Sequence, residues 1–222
     1  DYRYAALKNL TRARFFAVQN LTREKQRFMN HLFKKYSTMA QEKVFSDTFS
    51  TTALAVYESF ESAEALANMD LHQLTEFIIE KGKKRFPDPD SVAKAIQKAA
   101  RSSYRLPKTV NDSVNQVLSI SISSMRAMES QIKAFDKAIA EQMALIPNTL
   151  TSVKGIGPVY SAGIIAEIGD INRFPTQASL AKYAGLVWSQ HQSGDFEAQN
   201  TRMIHSGNRY LKYYLCEAAL SL

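Results

Sequence analysis

Two stretches of this sequence carry residue types suited to holding phosphate. In Leu150-Thr-Ser-Val153-Lys154-Gly155-Ile156-Gly157-Pro158, two glycines flank one aliphatic residue, and a proline opens the apolar, small-residue segment Val159 to Ile168. This spacing predicts a tight turn between two helices, with Ile156 in the core and backbone N–H groups facing outward at a helix start, where an anion is stabilised. It is a helix-hairpin-helix pattern, which grips a nucleic-acid backbone without reading bases, and Lys154, Gly155 and Gly157 are its candidate contacts. The second stretch, Ser206-Gly207-Asn208-Arg209, opens a last helix with Leu211, Leu215, Ala218 and Leu222 along one face. Arg202, His205, Asn208, Arg209 and Lys212 cluster around that helix start as a second candidate phosphate cradle.

The charge distribution adds a third candidate contact. Residues 1 to 36 hold nine Lys and Arg against two acids, a net +7 that equals the formal charge of the whole 222-residue chain. A basic helix is often a solvated face. The alternative is a polyanion contact, in which cations gain by releasing counterions from phosphates. Arg12, Arg14, Arg23 and Arg27 are the candidate residues, and charge alone does not separate DNA from RNA. No metal site is predicted in this chain: Asp88 and Asp90 share a turn, while Asp170 and Asp195 are scattered. Cys216 has no second cysteine to pair with and reads as a small core residue.

The elements that must position these groups are mostly helical, since 8 Gly and 6 Pro leave long runs without strand or turn punctuation. Leu7, Leu10, Phe15, Val18, Leu21, Phe28, Leu32 and Tyr36 predict one long amphipathic helix with a charged outer face. A softer Ser/Thr/Ala-rich region follows to about Leu66. A short helix through Leu71, Leu74, Phe77 and Ile78 stops near Gly82, and another runs from about Ser91 to Ser103 with Asp90 as its cap. Leu118, Met125, Ile132, Ile139 and Ile146 repeat every seven residues up to Pro147, with Met128 and Phe135 three residues after two of them. That is an a/d seam, predicting either a coiled-coil arm for a second copy or a long helix packed on its own bundle. The fold class is mostly α: a helical bundle with a long coiled-coil helix followed by a small helix-hairpin-helix-containing domain. The partition is 1–147, with the arm at about 113–146, and 148–222. Gly185 to Gly194 reads as a polar loop. No stretch is apolar enough to cross a bilayer and the N-terminus lacks a signal-peptide layout, so a soluble intracellular protein with no membrane partner is expected.

The order of motifs is informative as a string. Val153-Lys-Gly-Ile-Gly-Pro158, Glu167-Ile-Gly-Asp-Ile-Asn-Arg-Phe174, Ala181-Lys-Tyr-Ala-Gly-Leu186, Ser193-Gly194 and Gly207-Asn-Arg-Tyr-Leu211 resemble the C-terminal domain of the IS-one-ten family of insertion-sequence transposases and the related Piv-type invertases. The resemblance implies a bacterial or archaeal DNA recombinase acting in the cytoplasm at the nucleoid and guided by a structured bridge RNA. It also implies an N-terminal RuvC-like domain whose Asp-Glu-Asp-Asp site takes Mg, a coiled-coil region that joins copies, and a nucleophilic serine in the C-terminal domain. That serine falls on Ser193. On this reading the chain begins beyond the acidic domain and ends inside an apolar helix at Ser221-Leu222, a fragment inactive alone that needs no cofactor of its own. Two positions depart from the family pattern: Trp188 stands where proline is common, and His205 where a basic residue is common. The alternative is a non-catalytic nucleic-acid-binding and oligomerisation module. A tyrosine-recombinase reading of Arg202, His205, Arg209 and Tyr213 fails on spacing, since the arginine stands four positions after the histidine rather than three.

Overall fold

A computed structural model of the chain describes residues 1–39, 42, 44–83, 85–189, 192–193, 196–197 and 202–221, with the backbone alone at 192, 193, 196 and 197. The fold is mostly α. In chain order the helices are α1 (Tyr2–Lys35), α2 (Thr51–Ser59), α3 (Ala63–Asn68), α4 (Leu71–Gly82), α5 (Pro89–Ser102), α6 (Lys108–Met143), α7 (Pro158–Ile168), α8 (Gln177–Ala184) and α9 (Arg209–Leu220). Single 3₁₀ turns at Leu150–Ser152 and Ile171–Arg173 precede and follow α7, and a two-residue antiparallel pair, β1 (Gln192–Ser193) and β2 (Phe196–Glu197), lies between α8 and α9. Two compact units result: residues 1–18 with 130–222, and residues 19–129. The units follow contacts, whereas the partition at 147 follows motifs, and the two cut the chain at different places.

The 19–129 unit is a helical bundle around Phe28, Leu32, Tyr36, Tyr57, Leu66, Leu74, Ile78, Ile96, Leu118 and Ile122. The region read as soft, 37–66, holds α2 and α3, each started by a serine, Ser50 and Ser62, whose hydroxyl accepts a backbone N–H of the first turn. The cap of α5 is Asp88 rather than Asp90. Pro89 has no N–H and a helical φ, so the helix begins there, the cap falls one residue earlier, and Asp90 pairs instead with Lys94.

The heptad seam is consumed at both ends inside the chain. Leu118 and Met125, exposed by 1% and 2%, join the core of the 19–129 unit, while Ile139 and Ile146, exposed by 4% and 5%, pack with Leu7, Ala162 and Ala166 in the other. In each unit α6 runs beside α1. Ser121 and Lys25 reach Glu24 and Glu129 in the first, and Arg14 pairs with Asp136 in the second. Met128, Ile132 and Phe135 between these positions stay half-buried, so the two ends of the seam pack inside the chain while its middle is partly open.

Lys35 ends α1 almost fully buried, its ammonium donating to the Tyr57 carbonyl at 2.8 Å and lying 5.1 Å from the Tyr36 ring. Burial pulls its pKa down to about 8, against the weaker opposing pull of Glu61. Between about pH 8 and the ordinary lysine value the unfolded chain therefore binds a proton that the folded one has released, and stability rises with pH. The buried Tyr36 and Tyr57 hydroxyls, whose pKa values burial pushes up, reverse the trend once the unfolded tyrosines ionise near pH 10. Chemical denaturation of the 19–129 transition is expected to become harder from about pH 8 to 9.5, by on the order of 1–2 kcal/mol, with Lys35→Met abolishing that slope.

Candidate nucleic-acid interface

The α7 helix is apolar from Pro158 to Ile168 except for Ser161 and Glu167, and Glu167 is 0% exposed. A buried carboxylate must be neutralised or paired. Here it is paired: Arg12 from α1 donates to both oxygens, Nε to Oε1 at 2.7 Å and Nη2 to Oε2 at 2.9 Å, and Lys8 lies at 3.8 Å. Asn208 Nδ2 donates to Oε2 at 2.7 Å. Burial pushes the Glu167 pKa up, but the hydrogen bonds from Arg12 and Asn208 and the charges of Arg12 and Lys8 outweigh it, so the carboxyl titrates below its usual range. The same pair raises the pKa of Arg12.

Asn208 is the hinge of this arrangement. Its Oδ1 accepts the N–H groups of Tyr210 and Leu211, both at 3.1 Å, and so caps α9, while its own N–H donates to the Tyr183 carbonyl at 2.7 Å. Two glycines make the approach possible. Gly185 ends α8 with φ +77°, and a β-carbon there would collide with the Ser206 carbonyl; Gly207 has φ +119°, and its β-carbon would meet the Gly185 nitrogen at 2.6 Å. The chain leaving α8 and the chain entering α9 therefore touch backbone to backbone, which places Asn208 over Glu167.

The surface above this buried network is a cleft of about 480 Å³ lined by Arg12, Lys182, Tyr183, Asn208, Arg209 and Tyr210. The guanidinium of Arg12 lies 4.3 Å from the Tyr210 ring, and that of Arg209 lies 4.9 Å from Tyr210 and 5.8 Å from the exposed Phe16. With Arg12 held by Glu167 and the Tyr210 and Leu211 N–H groups held by Asn208, the groups left to meet an anion are Lys182 and Arg209, at the positive end of a helix. Of the residues read from sequence, the structure brings Arg12, Asn208 and Arg209 together here. Lys212 lies on the next turn, where its ammonium donates to the Gly185 carbonyl at 3.2 Å and ties down the α8 end.

The other candidates lie elsewhere. Arg202 and His205 are exposed between β2 and α9. Arg202 gives its carbonyl to the Ser189 N–H at 2.8 Å, and Ile204 donates to Val187 at 3.0 Å. With the Trp188–Met203 bridge and the β1–β2 pairs, these bonds make the region read as a polar loop a β-ladder. The apolar alternation of Val187 and Trp188 against Met203 and Ile204 suits such pairing. Ser193 is the last paired position of β1, opposite Phe196, and Gly194 lies outside the described residues. Lys154 is exposed beside Gly155, φ +86°, and Gly157 caps α7. What precedes that turn is one 3₁₀ turn rather than an α-helix, because Pro147 ends the helical run, so the hairpin has a helix on one side alone. Arg14 is taken by Asp136, whereas Arg23 and Arg27, in the 19–129 unit, are exposed beside Asn20 and Glu24. Cys216 is exposed on α9, not in the core. Among the described residues no group of three or more His, Cys, Asp or Glu could hold a metal ion.

Sequence reasoning missed Glu167, Lys182, Tyr183, Phe16 and Tyr210. The signal for Glu167 was present: a single carboxylate in an otherwise apolar helix has to attract a cation.

Residues 148–222 match the family described as Transposase IS116/IS110/IS902. That segment contains Glu167, Asn208, Arg209 and Ser193, whereas Arg12 and the 19–129 unit lie outside it. An insertion element IS116 protein of 44.8 kDa from Streptomyces clavuligerus is 27% identical over 180 residues, covering 77% of this chain and 41% of the relative. An insertion element IS110 protein of 43.6 kDa from Streptomyces coelicolor is 39% identical over 87 residues, 39% of this chain and 20% of the relative. A probable family 20 transposase from Pseudomonas aeruginosa is 30% identical over 92 residues, 41% and 25% respectively. The chain thus spans about two fifths or less of the curated relatives it matches. No solved structure matches.

Replacing Glu167 with Gln removes the buried acceptor of Arg12, whose own side chain is 38% exposed and can be rehydrated, and is expected to destabilise the unit by about 1–2 kcal/mol in denaturant titration. Since the Glu167 pKa is lower folded than unfolded, its contribution is complete above the ordinary carboxylate range and fades as pH falls through the folded value. The wild-type chain should therefore lose more stability on acidification than Glu167→Gln.

Proposed function

We propose that this chain is the nucleic-acid-handling part of an insertion-sequence transposase, and that it acts on DNA within a longer protein. The single observation that carries this reading is the match of residues 148–222 to a transposase family over the segment that builds the α8–α9 cleft. The cleft supplies cations suited to DNA phosphates in Lys182 and Arg209, held beside the Arg12–Glu167 pair, and the exposed Phe16 near Arg209 offers a ring face.

Within the proposal Ser193 is the nucleophile. Its hydroxyl attacks a DNA phosphorus, the Oγ–P bond forms as the bond to the leaving sugar oxygen breaks, and the serine proton passes to that oxygen. The phosphoserine link keeps the bond energy for rejoining. Such a step requires charge stabilisation of the phosphorane, for which Arg202, His205, Arg209 and Lys212 are the cationic or protonatable groups nearest in sequence. The described residues include no carboxylate cluster to hold the divalent metal expected of a RuvC-like domain, and Glu167 already gives its oxygens to Arg12 and Asn208, so metal chemistry is assigned to a domain beyond this chain. A structured guide RNA is the second proposed partner, contacted by the exposed Arg23 and Arg27 of α1 and by the Lys154-Gly155-Gly157 turn.

The test is strand exchange by the full-length protein. Ser193→Ala should abolish exchange and the phosphoserine adduct on a nicked suicide substrate while DNA binding persists; unchanged exchange overturns the assignment. Arg209→Gln should weaken DNA binding at every sequence alike and lower the salt slope of log K by about one unit.

A further inference from the structure

The 19–129 unit has a basic cleft of its own, of about 430 Å³, where the end of α4 meets the start of α2. Lys81, Lys83 and Arg85 line it together with the hydroxyl residues Ser46, Thr51 and Thr52, and no described acidic residue does. Glu80 lies 2.8 Å from Lys81 in an exposed pair of the kind that contributes little. Asp47, on the loop before α2, accepts the Phe49 N–H. Lys83 and Arg85 are exposed and have no ion-pair partner among the described residues.

The backbone holds these cations in place. Lys83 closes α4 in the left-handed region, φ 48° and ψ 43°, the one non-glycine with positive φ among the described residues. Glycine is the ordinary occupant of that position after a helix, because a β-carbon there is strained. A lysine kept at a strained position directs attention to its side chain. Gly82, before it, lets the Phe86 ring close on the helix end, since a β-carbon would stand 2.6 Å from the ring, and the Arg85 N–H returns to the Gly82 carbonyl at 3.0 Å. The turn therefore presents Lys83 and Arg85 to the same opening.

We propose that this cleft binds the phosphate backbone of a nucleic-acid strand, separately from the α8–α9 cleft; the proposal rests on the reading of the chain as nucleic-acid-handling. A polymer fits better than a small phosphate compound, because the cations are long, exposed and arrayed along one turn, with no buried donor to orient a discrete ligand. Their gain comes from counterion release, which rises with the number of phosphates met.

The experiment is a salt titration of the whole chain with labelled single-stranded RNA and with duplex DNA. A triple variant, Lys81→Gln with Lys83→Gln and Arg85→Gln, should lower the slope of log K against log salt by about two to three units on at least one probe. Lys83→Gly guards against misfolding: it should raise the melting temperature by relieving the left-handed strain, yet lower the slope by about one unit. An unchanged slope in both variants on both probes overturns the proposal, and so does full displacement of both probes from Arg209→Gln by inorganic phosphate at constant ionic strength. Loss of binding in Arg209→Gln with the triple variant intact sinks this cleft alone. If the wild-type chain binds neither probe, the underlying reading falls.

Discussion

A carboxylate sealed in an apolar helix stays ionised where cations and donors are brought to it, and Glu167 is reached by Arg12 from α1 and by Asn208 from the start of α9. Three elements far apart in sequence converge because each solves part of one electrostatic problem. Arg12 compensates the buried charge, and Asn208 satisfies a remaining lone pair while using its other atom to cap α9. Everything in the α8–α9 cleft depends on that convergence: Arg209 follows Asn208 in the chain, Tyr210 takes the guanidinium of Arg12 over its ring, and Tyr183 gives its carbonyl to the Asn208 N–H. A buried pair of this kind adds little net stability but is costly to break, which makes it better suited to defining one geometry than to strengthening the fold.

The long helices carry two kinds of work. Both ends of the apolar stripe of α6 are covered by the chain itself, so that part of the heptad repeat serves the internal packing of each unit, while Met128, Ile132 and Phe135 stay half-buried. α1 is used on several sides. Leu7 and Phe28 are sealed in cores, Arg12 and Arg14 are committed to carboxylates, and Arg23 and Arg27 remain exposed. A basic stretch that looks uniform in sequence therefore divides into structural cations and free ones. Arg27 lies 3.5 Å from Glu24 in an exposed pair while Arg23 meets only the Asn20 amide oxygen, and an arginine already paired with a carboxylate has less to gain from releasing a counterion.

The segment bearing Ser193 has a different physics. Val187–Ser189 pair antiparallel with Arg202–Ile204, and Gln192–Ser193 with Phe196–Glu197, between two helices that are themselves packed. The cleft at the α9 start and the Val187–Ser189/Arg202–Ile204 pairing share the Arg202–Arg209 connection.

By itself the sequence determined the mostly helical class, the single long α1, the stop after Gly82, the order of motifs from Gly155 to Leu211, and Arg12, Asn208 and Arg209 as cations and caps of interest. These rest on periodicity, breakers and local spacing, which act within a few residues and so are legible along the chain. Tertiary structure decided what depended on distant partners: that Leu118, Met125, Ile139 and Ile146 of α6 face inward, that Arg14 pairs with Asp136 while Arg12 sits at a cleft, that Cys216 is exposed, and that Val187–Ser189 pair with Arg202–Ile204. It also showed the hairpin at Gly155 with a helix on one side alone, because Pro147 breaks the chain before a first helix can form. Glu167 lies between the two cases. Its isolation in an apolar helix announces in sequence that a cation must come, but the choice of Arg12, some 155 residues away, is made by packing.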